Sequence, residues 1–216
     1  DPADPANPYA DYTVEDLYAF LADHELQRDI GAAFEYSNLG VGLLGHALSV
    51  ELGRDYETLI RERIAEPLGL DDTVVDFTPE LQARAAVGHD PQLRPVPYWT
   101  LDALAGAGAI RSTANDLLTF LAAAMGVDAT PLESAFEAML SVRRPTGQQG
   151  IEIGLAWQVM QAGDDELVFH DGATGGFRAF FGYLREAKVG VVVLSNSGTS
   201  TGVADIGLHL MVPDIP

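Results

Sequence analysis

The chain has 216 residues, 47% of them hydrophobic, no cysteine, and 32 Asp and Glu against 12 Lys and Arg, a formal net charge of −20. That length and apolar content suffice for a buried core in one domain, or in one domain with a lobe. The charge excludes the basic footprint that nucleic acid requires, the missing cysteines exclude disulfides, and no apolar run reaches the roughly 20 residues of a membrane helix.

Residues 1–8 (DPADPANP) are proline-punctuated loop, and the chain opens on Asp rather than Met, so a start further upstream is expected. Thr13, followed by Glu15 and Asp16, predicts an N-cap for a helix with Leu17, Phe20 and Leu21 at helical spacing, ending near Asp23 and His24. His24 reads as a surface residue. Ser37 or Asn38 caps a second helix through Leu43, Leu44, Ala47 and Leu48 that stops at Gly53. Gly40, Gly42 and Gly45 fit the spacing of a dinucleotide fingerprint, but the preceding ELQRDIGAA carries no strand signal, so these glycines read as close helix packing.

A third amphipathic helix spans 56–68. Residues 71–100 are loop-rich, broken by Pro79, Pro91, Pro95 and Pro97, with Tyr98 and Trp99 either lining a pocket or covering core. A small-residue turn at 103–108 leads to Ser112-Thr113-Ala114-Asn115-Asp116, the cap of a helix through Leu117, Leu118, Phe120 and Leu121. Another helix, 131–141, precedes Arg143 and Arg144. After Gly150 the texture changes: 153–160, 166–170, 177–185 and 189–195 read as strands and 203–211 as a closing helix. Residues 185–188 (REAK) form the turn of a hairpin. The expected fold is α/β (α+β): a mostly helical lobe over 1–150 and an antiparallel sheet lobe with its C-terminal helix over 151–216, together one domain.

Two short motifs can carry chemistry. Tyr36-Ser37-Asn38 sets a phenol beside an amide at a helix start, and His170-Asp171-Gly172 sets a cation-capable ring beside bare backbone at the start of the hairpin. Neither is specific alone, since Tyr-x-Asn arises by chance in roughly one such chain in ten and His-x-Gly in about one in two. Taken singly, Tyr36 reads as a core aromatic and His170 as a strand-end surface residue. Glycines at 172, 175 and 176 mark a close approach by a ligand or another segment. The five histidines (His24, His46, His89, His170 and His209) never fall at i, i+4, so neither a metal nor a cofactor is expected.

The surroundings of these motifs are more telling. FEYSNLGVGLLGHALSVELGRDYETLIRERIAEPLGLDDT, AGAGAIRSTANDLLTFL and HDGATGGFRAFFGYLREAKVGVVVLSNS resemble, in order, three regions of the serine β-lactamase-related hydrolases. That family includes class C β-lactamases, D-alanyl-D-alanine carboxypeptidases and related esterases, so the resemblance implies a β-lactamase/transpeptidase-like fold and acyl transfer through a serine. It implies Tyr36 as general acid/base, His170 as a neighbouring cation, and the Ala173 N–H as one oxyanion donor. Asn38, Gly172 and Thr174 would face an amide or ester substrate, with Gly172 letting it approach the strand.

One departure is sharp. The family's nucleophile lies in a Ser-x-x-Lys motif, whereas Lys188 is the only lysine here and Arg185 stands three residues before it. The 216 residues are therefore expected to be the C-terminal part of a longer enzyme, lacking the N-terminal strands and nucleophile helix and inactive alone. The alternative is a binding or structural protein on the same scaffold with the nucleophile lost. Residues 189–195 (VGVVVLS) are apolar on both faces, as in a central strand, so a missing N-terminal segment or a neighbouring copy is the expected partner along them. The resemblance alone suggests a periplasmic or secreted protein. Loops choose the substrate in such a family; the negative charge opposes anionic substrates at long range, and Arg111 or Arg178 could reverse that locally.

The acidic residues are scattered rather than blocked, which reads as a solvated surface suited to high salt, where screening relieves self-repulsion. The melting temperature is expected to rise through a KCl series; a flat or falling series would refute a salt-adapted surface.

Overall fold

The computed structural model describes residues 2–213. Helix α1 (Val14–Asp23) opens with a capping box: the Thr13 hydroxyl accepts the Asp16 N–H and the Asp16 carboxylate accepts the Thr13 N–H. Helix α2 (Asn38–Leu52) is capped by Ser37, whose Oγ accepts the Gly40 N–H at 2.9 Å, and it ends at Gly53 in the left-handed region. Gly42 and Gly45 of α2 lie against a 3₁₀ segment, Asp102–Ala107, so closely that a Cβ on Gly106 would sit 2.6 Å from the Val41 carbonyl oxygen. Two backbones touch there because neither has side chains in the way. The small-residue stretch expected as a turn is thus a short helix that forms a seam with α2.

Helix α3 (Tyr56–Ile60) passes through a π turn, Arg61–Ala65, into α4 (Glu66–Leu68). Pro67 explains the wide turn, since its ring cannot coexist with an ordinary i−4 hydrogen-bonded turn; Glu66 N–H instead reaches Arg61 O. A short helix α5 (Pro79–Arg84) and a small hairpin of β1 (Gly88–His89) and β2 (Pro95–Val96) occupy the loop-rich stretch. Helices α6 (Ala114–Ala124) and α7 (Glu133–Ser141) follow.

The main sheet is an antiparallel meander of β3 (Arg144–Pro145), β4 (Ile151–Ile153), β5 (Gln158–Ala162), β6 (Asp165–Thr174), β7 (Phe177–Leu184) and β8 (Val189–Ser195), in that spatial order. Helix α8 (Val203–Met211) closes the described fold. The sheet has helices on both faces. On one, Leu121 of α6 and Met125, its C-cap, pack with Trp157, Val159, Val168 and Tyr183; on the other, Met211 of α8 packs with Leu167, Phe169 and Phe180. A separate cluster of Ile60, Val75, Leu101, Ala105 and Ala109 fills the helical lobe.

Two strand expectations are corrected. Residues 153–160 are not one strand, because Gly154 N–H turns to bond Trp157 O at 2.8 Å and Ala156 takes φ +68°, which swings Trp157 into the core. Strand β6 runs four residues past His170, because β7 supplies a continuous ladder out to Thr174↔Phe177. Strand β8 is apolar on both faces because α6 and α8 cover both, yet among the described residues it pairs with β7 alone. No helix among these residues is long and apolar enough to cross a membrane.

At the far end of the sheet Arg143 grips Glu166 with two hydrogen bonds (2.6 and 2.9 Å) and Arg185 adds a third at 3.1 Å. The hydrogen bond from Arg143, against an opposing cost of burial and with help from Arg185, holds the Glu166 carboxyl at about 2. A depressed carboxylate stabilises the fold above its unfolded titration range and loses that contribution as pH falls through the folded value. In urea melts the stability gap between wild type and Glu166→Gln should therefore be widest above about pH 5 and close towards pH 2. At the α2 seam, Gly106→Ala should cost about 1–3 kcal/mol, since the backbone opposite cannot give way as a side chain would.

Candidate active site

The elements that carry the two motifs converge. Tyr36 lies in the extended segment that enters the Ser37 cap, and Asn38 is the first residue of α2. The Tyr36 ring stands 6.5 Å from the His170 ring, centroid to centroid, at an interplanar angle of 33°. Tyr36 is 64% exposed, which corrects its reading as a core aromatic: the phenol stands at the surface beside a histidine from another part of the chain.

Strand register decides what the rest of the motif presents. Gln158 of β5 pairs with Phe169, and beyond that point β6 has no partner on its β5 side among the described residues, so His170–Thr174 offer there an unpaired edge of N–H and C=O groups. Opposite partners share a face, so His170 faces with Phe181 toward α6, whereas Asp171 and Ala173 face with Phe180 and Arg178 toward α8. Gly172 is exposed and a Cβ there would meet no atom within 4 Å, so its glycine leaves the edge clear for an incoming group rather than for packing. Thr174 approaches the helical lobe, its Cγ2 lying 3.7 Å from where a Cβ on Gly108 would be. Among the named residues, Tyr36 and His170 meet across the lobes, and Gly172, Ala173 and Thr174 share His170's strand. Asn38 is exposed at the helix start.

Three features escape a reading of the sequence. The first is how tightly the turn after Thr174 is held. A Cβ on Gly175 would lie 2.5 Å from Trp99 Nε1, and one on Gly176, at φ +75°, 2.6 Å from the His89 nitrogen. The second is Arg178, whose buried Nε has no hydrogen-bond partner among the described residues; it lines a cavity of about 120 Å³ with Asp171, Gly172, Ser200 and Thr201. The third is that Arg111 is not free to attract anions, because its guanidinium donates to the carbonyls of Val75, Ala109 and Trp99. The doubled glycine and the Tyr98-Trp99 pair were the visible traces of the first; nothing in the sequence distinguishes Arg178 from Arg111. Among the described residues no group of three His, Asp or Glu is placed to hold a metal ion.

The family model for beta-lactamases matches residues 1–212. The chain belongs to the beta-lactamase family. Among its relatives in that family are human beta-lactamase-like 1, 30% identical over 84% of this chain, and a beta-lactamase of Yersinia enterocolitica, 27% identical over 83%. The D-alanyl-D-alanine-carboxypeptidase/endopeptidase AmpH of Escherichia coli is 25% identical over 84% of it. The match spans 37%, 55% and 50% of those three proteins' lengths. The fold is that of solved beta-lactamases. A structure from Sulfitobacter sp. EE-36 superposes with a TM-score of 0.83 at 21% identity, covering 94% of this chain and 64% of the other. A beta-lactamase/D-alanine carboxypeptidase from Pseudomonas syringae gives 0.82 at 19%, covering 94% and 66%. The beta-lactamase/transpeptidase-like architecture expected from the sequence, a helical lobe with a helix-flanked antiparallel sheet, is the one observed.

Proposed function

We propose that this chain supplies the substrate-binding and acid/base part of a serine hydrolase that acts through an acyl-enzyme on β-lactams, D-amino-acid peptides or esters. The observation that carries the reading is the approach of the Tyr36 and His170 rings beside the unpaired edge of β6. Names among the relatives, beta-lactamase and D-alanyl-D-alanine-carboxypeptidase/endopeptidase, support the same substrate classes.

In this reading Tyr36, as phenolate, takes the proton of a serine hydroxyl while the serine oxygen bonds to the substrate carbonyl carbon. The carbonyl oxygen becomes an oxyanion that accepts a hydrogen bond from the Ala173 N–H. The tetrahedral species collapses, the bond to the leaving nitrogen or oxygen breaks, and the leaving group receives the proton from Tyr36. Water then cleaves the acyl ester by the same steps. His170 stands beside the Tyr36 ring, Asn38 holds the substrate amide, and Gly172 and Thr174 bound its path along the strand. Arg178 offsets the −20 charge where an anionic substituent would lie.

The serine and its lysine lie, in this proposal, on a further segment of the same protein. Two surfaces suit such a segment: the outer edge of β8, and an exposed apolar stripe on α2 at Val41, Leu44, Leu48 and Leu52, at i, i+3, i+7 and i+11. A neighbouring copy along β8 is the other occupant of that edge. The second reading is a binding or structural protein on the same scaffold with the nucleophile lost.

The full-length protein should take a covalent label from a fluorescent penicillin, and Tyr36→Phe should slow labelling about 10²–10⁴-fold. Arg178→Gln should slow it more for penicillin, which bears a carboxylate, than for the neutral ester p-nitrophenyl acetate. A full-length protein that carries no Ser-x-x-Lys, takes no label and cleaves no ester would leave the binding reading in its place.

A further inference from the structure

Arg111 is the residue whose surroundings the proposed chemistry leaves unexplained. In a chain with 32 carboxylates it makes no ion pair among the described residues. Its guanidinium instead lies over the Phe77 ring at 4.9 Å and the Tyr98 ring at 5.6 Å, and donates to the carbonyls of Val75, Ala109 (3.3 Å) and Trp99 (3.1 Å). Its own backbone exchanges two hydrogen bonds with Val74, at 2.7 and 2.9 Å. One side chain thus ties together the segments around residues 74–77, 98–99 and 109.

Those segments form the seat of the β6–β7 turn. The Tyr98 ring lies parallel on Phe177, with centroids 5.2 Å apart and an angle of 12°, and is braced edge-on by Phe77 at 5.2 Å. The Trp99 indole abuts Gly175, and Gly108, one residue before Ala109, lies beside Thr174. Three routes therefore run from Arg111 to residues 174–177, each through one intermediary, Tyr98, Trp99 or the 108–109 backbone, beside the support that the β1–β2 hairpin gives the same turn through Gly88, His89 and Val96. A planar fork with donors to three carbonyls and two faces for aromatic rings can hold all of these at once; an ammonium cannot.

We propose that Arg111 is a positioning residue: it sets the height of the β6–β7 turn and, through it, the unpaired edge Gly172–Thr174. Its bearing on catalysis rests on the reading of that edge as the substrate's seat; its bearing on the turn does not. Two measurements on the full-length protein separate them. Hydrogen exchange at the amides of 172–178 should speed up about tenfold or more in Arg111→Met and in Arg111→Lys, while amides of Val159 and Phe180 in the sheet core keep their protection. Where the protein hydrolyses an ester or lactam, kcat should fall about 10–100-fold with KM nearly unchanged, as displaced catalytic geometry demands.

Tyr98→Leu cuts the stack without removing a carbonyl hydrogen bond of Arg111, and should reproduce the faster exchange; it carries the test if Arg111→Met loses protection throughout the sheet. Unchanged exchange at 172–178 in a folded Arg111→Met, or full rescue by Arg111→Lys, would overturn the proposal. A protein that hydrolyses nothing would overturn the functional reading and leave exchange alone to decide the role of Arg111.

Discussion

The elements that carry Tyr36 and His170 are set at two places where glycines meet their neighbours with no room for a Cβ. At the first, Gly42 and Gly45 of α2 rest on Gly106 and Leu104, which places the helix start that carries Tyr36 and Asn38. At the second, Gly175 and Gly176 rest on Trp99, Val96 and His89, which places the strand that carries His170. The 3₁₀ segment of the first contact and Trp99 of the second are almost adjacent in the chain, so one short stretch of backbone references both halves of the site. A close-packed interior transmits a shift of a few tenths of an ångström rather than absorbing it.

The few cations of this acidic chain are largely committed to structure. Arg143 and Arg185 hold Glu166, Arg84 pairs with Asp72, Arg94 with Asp90, and Lys188 donates to the Met125 carbonyl at the end of α6. Arg111 is engaged with carbonyls and aromatic faces. Arg178 differs in having a buried Nε without a partner among the described residues, beside a cavity on the face of the sheet opposite His170. The distribution makes local placement, not net charge, the quantity that matters for any anionic substrate.

Membership of the beta-lactamase family and the partial span of its relatives give the two open surfaces a common meaning. Strand β8 has the apolar composition of an interior strand and helices over both faces, yet one edge unpaired among the described residues; α2 is apolar around much of its circumference, with Leu44 57% exposed. A helix apolar on all sides is normally buried on all sides. In the proposed reading a serine-bearing segment would cover both features, so the proposed chemistry and the proposed packing stand or fall together.

Local rules accounted for much of this protein. Thr13, Ser37 and Thr113 cap where short polar side chains should, Gly53 ends α2, the turn at 185–188 closes a hairpin, and the order of helices before an antiparallel meander is legible from periodicity alone. Those signals are short in range, set by neighbours a few residues away. The break in the sheet at Gly154–Trp157 was hidden, because the positive φ falls on Ala156, a residue that does not mark turns, and the need for glycine at 154 comes from the distant Met139 carbonyl. By itself the sequence determined the elements, the two motifs and their resemblance to a family. Only the tertiary structure decided that Tyr36 stands exposed beside His170, that among the described residues β6 has no neighbour on its β5 side beyond Phe169, and that of two similar arginines Arg111 is bound into the scaffold while Arg178 borders a cavity. Those are contacts between residues tens of positions apart, and no spacing along the chain encodes them.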